Sequence, residues 1–367
     1  MGKKIRVAVL FGGKSAEHEV SLQSARNIVD AIDKDKYEVT LIGIHKSGQW
    51  FLNDGAKLML PEANEQGLAE VKDSTALVTL MPESKGELMR PFDSSSVGTV
   101  DVVFPILHGP MGEDGTVQGL LKLADVPFVG AGVLGSAVGM DKDVMKRLIR
   151  DAEIPTSDFV VLHRFQAVEA NFDSIQSQLG LPLFVKPANM GSSVGVSKVE
   201  DEAGFRAALK EAFQFDSKIL IEEFIEGREV ECSVLGNENP IVSVVGEVLP
   251  THDFYSYEAK YLDENGAVLK IPAQLPKETV KRIQEVAIHT FQVLCCEGMA
   301  RADFFLRPDG EVMVNEINTI PGFTRISMYP KLWEASGISY SELIDRLIQL
   351  AMERYEREQK LKTSYDF

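Results

Sequence analysis

MARADFFLRPDGEVMVNEINTIPGFT, residues 299–324, reads as two strands joined by a turn at Pro308, Asp309 and Gly310. These are residue types that favour reversal of the chain. Side chains alternate between faces along a strand, so an even-numbered loop would set Asp303 opposite Glu316 and Arg301 opposite Asn318, all on one surface. A three-residue loop would send the two acids to opposite faces, unless a bulge corrected the register. Two carboxylates, a carboxamide oxygen and a guanidinium on one surface form a hard-oxygen donor set with a fixed cation beside it. Mg²⁺ in nucleotide-using enzymes takes one or two carboxylates and completes its shell with phosphate oxygens. The plain alternative is the solvated outer face of a hairpin. Four such groups in register beside Phe304, Phe305 and Ile317 favour the functional reading.

At 367 residues the chain is long enough for two or three domains, and 44% hydrophobic with 25% charged residues is ordinary for a globular protein. A net charge of −17 leaves no basic excess for a nucleic-acid surface. It also means that an anionic substrate needs a local cluster of Lys, Arg and metal. Three cysteines, with Cys295 and Cys296 adjacent, make neither a disulfide framework nor a zinc pattern. The opening MGKKIRVAVLFGG carries only a short apolar run, and no run of eighteen apolar residues occurs. A soluble, cytoplasmic protein without a membrane or nucleic-acid partner is the expectation.

Residues 5–11 are near-continuously apolar and end at Gly12 and Gly13, as in a buried parallel strand. Leu22, Ala25, Val29 and Ile32 follow at helical spacing, and 37–44 reads as a second strand. The glycine pair is not a full dinucleotide fingerprint. Glu17 stands where the first strand hands over to its helix. Ligands of open α/β sheets sit beyond the carboxyl ends of strands, so an acid there can meet a ligand's amine, although a helix N-terminus favours an acid in any case. Residues 53–98 are polar, show one strand-like run at 76–81, and read as a peripheral elaboration. A buried strand at 100–107 then leads into HGPMGEDG (108–115), which brings His108 and Glu113 to the same rim as Glu17.

Glycines cluster at 130–135, a candidate boundary. Asp141 is placed to cap a helix whose apolar residues are Val144, Leu148 and Ile149. Lys142, a cation in the first turn, opposes the helix dipole and hints at a role beyond the helix. LFVKPANMGSSVGVSKV (183–199) reads as strand, Gly- and Ser-rich loop, strand, in which amides, hydroxyls and Lys186 could cover phosphates. An amphipathic helix with Phe205, Ala208, Leu209 and Ala212 precedes a strand at 218–225. The crossing after it could hold an adenine edge, with Glu229 near a ribose. A long connection at 249–269 is dense in Tyr255, Tyr257 and Tyr261, the composition of a lid. A helix at 276–294, the opening hairpin and two closing helices complete the chain. The last presents Leu343, Ile344, Leu347, Ile348 and Ala351 on one face, with fraying expected from Glu353 onward.

Seven runs together resemble the ATP-grasp ligases, and within them the D-alanine–D-alanine ligase family. They are FGGKSAEHEVSL (11–22), HGPMGEDG (108–115), MDKDVMKRL (140–148), FVKPANMGSSVGVSKV (184–199), EEFIEGREV (222–230), DFYSYEAKY (253–261) and the hairpin continued to Pro330. They span nearly the whole chain in the family's order. The resemblance implies an α/β fold (α+β in parts) of three-domain ATP-grasp architecture with an N-terminal parallel-sheet domain. The domains would be 1–134, 135–220 and 221–367, with ATP between the second and third.

The resemblance further implies that Lys142, Lys186, Ser193, Lys260 and Asn315 contact the nucleotide, with Glu222, Glu223, Phe224 and Ile225 along the adenine and Glu229 on the ribose. Asp303, Glu316 and Asn318 would bind two Mg²⁺ or Mn²⁺ ions. Glu17 would hold the ammonium of the first D-alanine, in a network with Ser192 and Tyr261. Arg301 and the Gly322 amide would form an oxyanion hole, and Ser327 with the Met328 amide would receive the second D-alanine's carboxylate. Glu223 stands where some relatives have Lys. The implied activity is ATP-dependent joining of two D-alanines through an acyl phosphate, for peptidoglycan precursor synthesis, by a homodimer. A ligase making D-alanyl–D-lactate is the nearest alternative, and the lid Tyr261 argues against it because depsipeptide-forming relatives depart from that lid. A nucleotide-binding module without turnover would be expected to lose a metal ligand or Arg301, and neither is lost.

Overall fold

The computed structural model describes residues 3–53, 77–250, 267–362 and 364–365. Its first sheet has β1 (Ile5–Gly12) between β2 (Tyr37–Ile44) and β7 (Val102–Ile106), both parallel to it, with β3 (Trp50–Asn53) antiparallel on the far edge of β2. Val7 to Phe11 have no exposure at all, as a central strand covered on both faces requires. Helix α1 (His18–Ala31) follows β1 and packs Leu22, Ala25, Ile28 and Val29 onto the sheet. Beside it lies a small antiparallel sheet of β4 (Thr79–Leu80), β5 (Glu87–Met89) and β6 (Ser96–Thr99). The single strand expected over 76–81 is therefore shorter, an edge strand paired with β5, beyond which lies β6. Both are too short and too polar to carry a strand pattern of their own.

Helices α2 (Thr116–Leu123), α3 (Val133–Met140) and α4 (Lys142–Asp151) lead out of this layer. A second sheet, ordered β10-β9-β11-β8, contains β8 (Phe159–His163), β9 (Leu183–Pro187), β10 (Ser197–Val199) and β11 (Lys218–Glu223), all antiparallel to their neighbours. Helices α5 (Phe172–Leu179) and α6 (Glu202–Phe215) cover it, and their first turns are capped by Asn171 and Asp201. The third large sheet, ordered β14-β13-β12-β15-β16, comprises β12 (Arg228–Gly236), β13 (Ile241–Pro250), β14 (Ala267–Lys270), β15 (Gly298–Leu306) and β16 (Val312–Asn318). Helix α7 (Lys277–Val293) packs on one of its faces. Helices α8 (Met328–Ala335) and α9 (Tyr340–Glu358) close the chain.

One core ties the ends of the chain together. Val9, Phe11, Ile28 and Phe104 share it with Met299, Phe323, Trp333, Leu343, Ile344 and Leu347. The contact is polar at its edges: the Tyr37 hydroxyl donates to Asp345 at 2.6 Å, and Gln349 donates to Tyr37 at 3.1 Å. The expected fraying after Glu353 does not occur. Helix α9 continues to Glu358 because Arg354, only 4% exposed, stacks on Phe128 with its guanidinium 4.4 Å from the ring centroid. It donates to the carbonyls of Phe128 and Gly130, so a charge that looked like tail solvation is a buried bracket. Removing that guanidinium strands two buried acceptors and opens a cavity. Arg354→Ala should lose about 3 kcal/mol of stability in urea unfolding. Leu361→Ala, at a position 68% exposed, should stay within about 0.5 kcal/mol.

Candidate active site

The hairpin β15–β16 reaches the expected register by the less simple of two routes. Leu306 pairs with Val312 and Phe304 with Val314, and the Arg307 amide donates to the Glu311 carbonyl at 3.0 Å. That leaves 308–310 as a three-residue loop with Gly310 at φ +90°. Such a loop alone would put Asp303 and Glu316 on opposite faces. The register shifts between Phe304 and Asp303, leaving Asn315 unopposed as a bulge, after which Asp303 faces Glu316 and Arg301 faces Asn318. The four side chains thus share one face.

On that face Arg301 is clamped. Its guanidinium makes two 2.7 Å bonds to Asp303 and lies 2.8 Å from Glu231 on the neighbouring strand β12. Burial alone would depress its basicity, but the two carboxylates hold its pKa well above the ordinary value. Asn318 Nδ2 donates to Asp303 at 3.1 Å. Among the described residues, no three His, Cys, Asp or Glu side chains are grouped to hold a metal by themselves. The hairpin supplies two carboxylates and a carboxamide instead. The bulged Asn315 adds a buried Oδ1 with no hydrogen-bond partner among the described residues. This oxygen-rich donor set fits a hard divalent cation that draws further ligands from phosphates.

Across the cleft, Glu17 is the N-cap residue of α1 and accepts a hydrogen bond from the Ser192 hydroxyl. Ser192 and Ser193 sit in the left-handed region, at φ +53° and +60°, a strained conformation for non-glycine residues. Gly109 sits at φ +75°, where a Cβ would come within 2.7 Å of Glu17 Oε2, and a Cβ on Gly191 would lie 3.1 Å from the same oxygen. Glu113 accepts from the Gly109 amide at 2.6 Å. Burial first, and the neighbouring Glu17 second, push its pKa up to about 8. His108 is buried with Nδ1 3.1 Å from the Ile320 carbonyl and Nε2 3.2 Å from Ser24 Oγ, and burial lowers its pKa to about 4. The third wall is the loop after β16. Gly322 is required there because a Cβ would lie 2.7 Å from Ser327 Oγ, which accepts from the Thr324 amide at 2.9 Å. Ser327 is the N-cap residue of α8 and makes no side-chain bond to that helix, whose N-terminus opens on the cleft.

A second cluster lies behind the hairpin. Asp141 caps α4 through the amides of Asp143 and Val144, both at 3.1 Å. The buried face of α4 is not the expected one: Val144 and Leu148 are partly exposed, whereas Lys142, Asp143, Met145, Lys146 and Ile149 are buried. Lys142 donates to the Met190 carbonyl at 2.7 Å and lies 3.3 Å from Glu316, linking the loop after β9 to the hairpin. Lys186 and Lys146 both ion-pair with Glu222, the latter at 3.3 Å. Lys146 has no exposure, donates to Thr156 and Ser157 at 2.8 and 2.7 Å, and has its pKa lowered to about 8 by burial against the pull of Glu222. Glu223 accepts from the Asp158 amide at 2.7 Å. Phe224 is exposed and Ile225 buried at the end of β11.

One cleft of about 390 Å³ is lined by Glu17, Ser192, Glu229, Arg301, Asp303, Asn315, Glu316, Asn318, Gly322 and Ser327, all expected site residues. Lys142, Lys186, Ser193 and Glu222 to Ile225 are outside that lining, with Lys142 joined to it through Glu316. Lys260, Tyr261 and the lid run 251–266 lie outside the described residues. Sequence reasoning missed Lys146 and Glu231. The first stands one helical turn after Lys142, and the second shares a strand face with Glu229, two spacings that would have found them.

Residues 6–131 match the family described as D-ala D-ala ligase N-terminus, and 148–349 match D-ala D-ala ligase C-terminus. The chain is 55% identical over 361 residues to the D-alanine–D-alanine ligase of Oceanobacillus iheyensis, covering 98% of this chain and 99% of the relative. It is 51% identical over 362 residues to D-alanine–D-alanine ligase A of Escherichia coli, covering 99% and 100%. The solved D-alanine–D-alanine ligase of Coxiella burnetii superposes with a TM-score of 0.85 at 39% identity, over 98% of this chain and 97% of that one. The VanG D-Ala:D-Ser ligase of Enterococcus faecalis gives 0.82 at 38% identity, over 95% and 100%. With family matches and superposed structures over nearly its whole length, the chain belongs to the D-alanine–D-alanine ligase family of ATP-grasp enzymes.

Proposed function

We propose that this protein joins two D-alanines into D-alanyl-D-alanine with consumption of ATP, for peptidoglycan precursor synthesis. The observation that carries the reading is one cleft in which the hairpin face of Arg301, Asp303, Glu316 and Asn318 meets Glu17 and the 320–328 loop. The names of relatives at 51–55% identity over the full length support it. The same reading divides the chain into domains 1–134, 135–220 and 221–367, has it act as a homodimer in the cytoplasm, and gives it two Mg²⁺ or Mn²⁺ ions. No described helix is long and apolar enough to cross a membrane.

Asp303, Glu316 and Asn318 would hold the ions, whose charge offsets that of the transferring phosphoryl group when bound. Lys142, Lys186 and the amides around Ser193 hold the phosphates, Glu222 to Ile225 line the adenine, and Glu229 takes the ribose. Glu222 Oε1 lies 3.3 Å from the Lys146 ammonium, which fixes the carboxylate beside the adenine site. Glu17 fixes the ammonium of the first D-alanine, so that its carboxylate oxygen attacks the γ-phosphorus and ADP leaves. The neutral amine of the second D-alanine then attacks the acyl phosphate carbon. Arg301 and the Gly322 amide stabilise the tetrahedral oxyanion, a contribution of roughly 3 kcal/mol per donor in comparable sites. The C–O bond to phosphate breaks with its electron pair leaving on phosphate, the attacking nitrogen gives up one proton to the departing phosphate or solvent, and the amide remains. Ser327 and the N-terminus of α8 receive the second carboxylate, as helix N-termini do for anions.

Phosphate release measured with D-alanine, L-alanine, D-serine and D-lactate should require D-alanine and yield the dipeptide. Equal release without any amino acid, or a predominantly ester product with D-lactate, would contradict the reading. Glu316→Gln should lower dipeptide formation by at least about a hundredfold while thermal stability stays within a few degrees, because it removes one hard anionic donor and keeps the shape. Glu113 yields a pH test. Its folded pKa of about 8 lies above the free value of 4.5, so the folded state binds the extra proton between them. Its contribution to stability is complete below pH 4.5 and is lost as pH rises through 8. The melting temperature of wild type relative to Glu113→Gln should therefore fall between pH 5 and pH 9, and a constant difference would show that Glu113 does not titrate there.

A further inference from the structure

The loop that carries Gly322 is held by side chains from two distant parts of the chain. Phe323, the next residue, has both its main-chain groups captured. Its amide donates to Ser24 Oγ at 3.1 Å, and its carbonyl accepts from Asn27 Nδ2 at 2.9 Å and from the Tyr340 hydroxyl at 2.6 Å. Its ring is fully buried, with Phe104 and Tyr340 edge-on at 6.0 and 5.9 Å. On the other side of Gly322, the Ile320 carbonyl meets His108 Nδ1.

These contacts fix every hydrogen in a relay. A carbonyl can only accept, so His108 Nδ1 carries the hydrogen and Nε2 is the acceptor. The Ser24 hydroxyl donates to Nε2 and accepts from the Phe323 amide, which closes a circuit from residue 323 back to residue 320. Burial keeps the imidazole neutral at physiological pH, as the relay requires. Both ring nitrogens are thereby used, and His108 serves the loop rather than the substrate. Ser24 and Asn27 lie on α1, the helix whose N-cap residue is Glu17.

We propose that Ser24, Asn27, His108 and Tyr340 are positioning residues for the Gly322 amide, and that α1 thereby sets the oxyanion donor at a fixed distance from the group that holds the first substrate. The inference rests on the reading of the Gly322 amide as that donor. A donor displaced by about 1 Å can cost up to about a hundredfold in rate while leaving remote binding untouched. The clamp therefore governs the second chemical step and not nucleotide affinity.

The test uses the full-length enzyme with ATP, Mg²⁺ and D-alanine, in the variants Tyr340→Phe, Asn27→Leu and Ser24→Ala, each first checked by thermal melting. The readouts are kcat for dipeptide, dipeptide formed per phosphate released, KM for ATP, and affinity for a phosphinate mimic of the tetrahedral intermediate. Dipeptide kcat and phosphinate affinity should fall together by roughly tenfold to a hundredfold. Dipeptide per phosphate should drop, and KM for ATP should stay within about twofold. Tyr340→Phe and Asn27→Leu, one a single-atom deletion and the other at a half-buried position, carry the test if Ser24→Ala does not fold. Folded variants with wild-type kcat and phosphinate affinity would overturn the proposal. If wild type binds the phosphinate no better than D-alanyl-D-alanine, the oxyanion reading is what fails.

Discussion

A guanidinium clamped between two carboxylates, mostly but not fully covered, sets the terms for the rest of the site. Arg301 cannot be held away from water without Asp303 and Glu231, and their pairing across β12 and β15 makes that contact unavoidable. The cost is a cleft lined by Glu17, Glu113, Glu229, Glu231, Asp303 and Glu316, in a protein that is already acidic. Arg301 and Lys142 offset part of that charge, and Glu113 relieves part of it by keeping its proton. Under the proposed function, an anionic nucleotide would enter so acidic a cleft only with divalent cations to offset its charge.

The two halves of the site rest on different supports. Glu17 and the 320–323 loop belong to the core shared by β1, α1, β7 and α9. Lys186 and Glu222 belong to β9 and β11, on a separate core with its own helices. Between them stands Lys146, which joins Glu222 to Thr156, whose hydroxyl in turn donates to the Val314 carbonyl of β16 at 2.8 Å. A fully buried ammonium with three polar partners is costly to misplace, so the β9–β11 sheet and the hairpin are referred to one point.

Much of this was legible in the chain. The buried run 5–11 gave its strand because a central strand between parallel neighbours tolerates little else. The face shared by Arg301, Asp303, Glu316 and Asn318 was readable from alternation, but the route to it was not. Loop parity depends on a bulge at Asn315 that no residue type announces. Helix α4 was misread because apolar periodicity assumes an apolar core, and this helix turns its lysines inward to carboxylates. Arg354 was misread for the same reason: a cation near a chain end is usually solvated, and only tertiary contact with Phe128 shows otherwise. Strands β5 and β6 are three and four residues long, below the length at which a period of two can be seen. The role expected of Glu222 came from resemblance alone, and the residues by themselves only suggested that of Glu229.

The proposed chemistry turns on one order of events: the first D-alanine's carboxylate takes the γ-phosphoryl group in this cleft before the second D-alanine attacks. Its most direct test is isotope transfer from D-alanine labelled with ¹⁸O in both carboxylate oxygens. During single turnovers with ATP and Mg²⁺, each dipeptide formed should be matched by one inorganic phosphate carrying one ¹⁸O, with ADP unlabelled. Phosphate free of ¹⁸O, or label found in a nucleotide instead, would contradict the acyl phosphate route and with it the roles assigned to the hairpin.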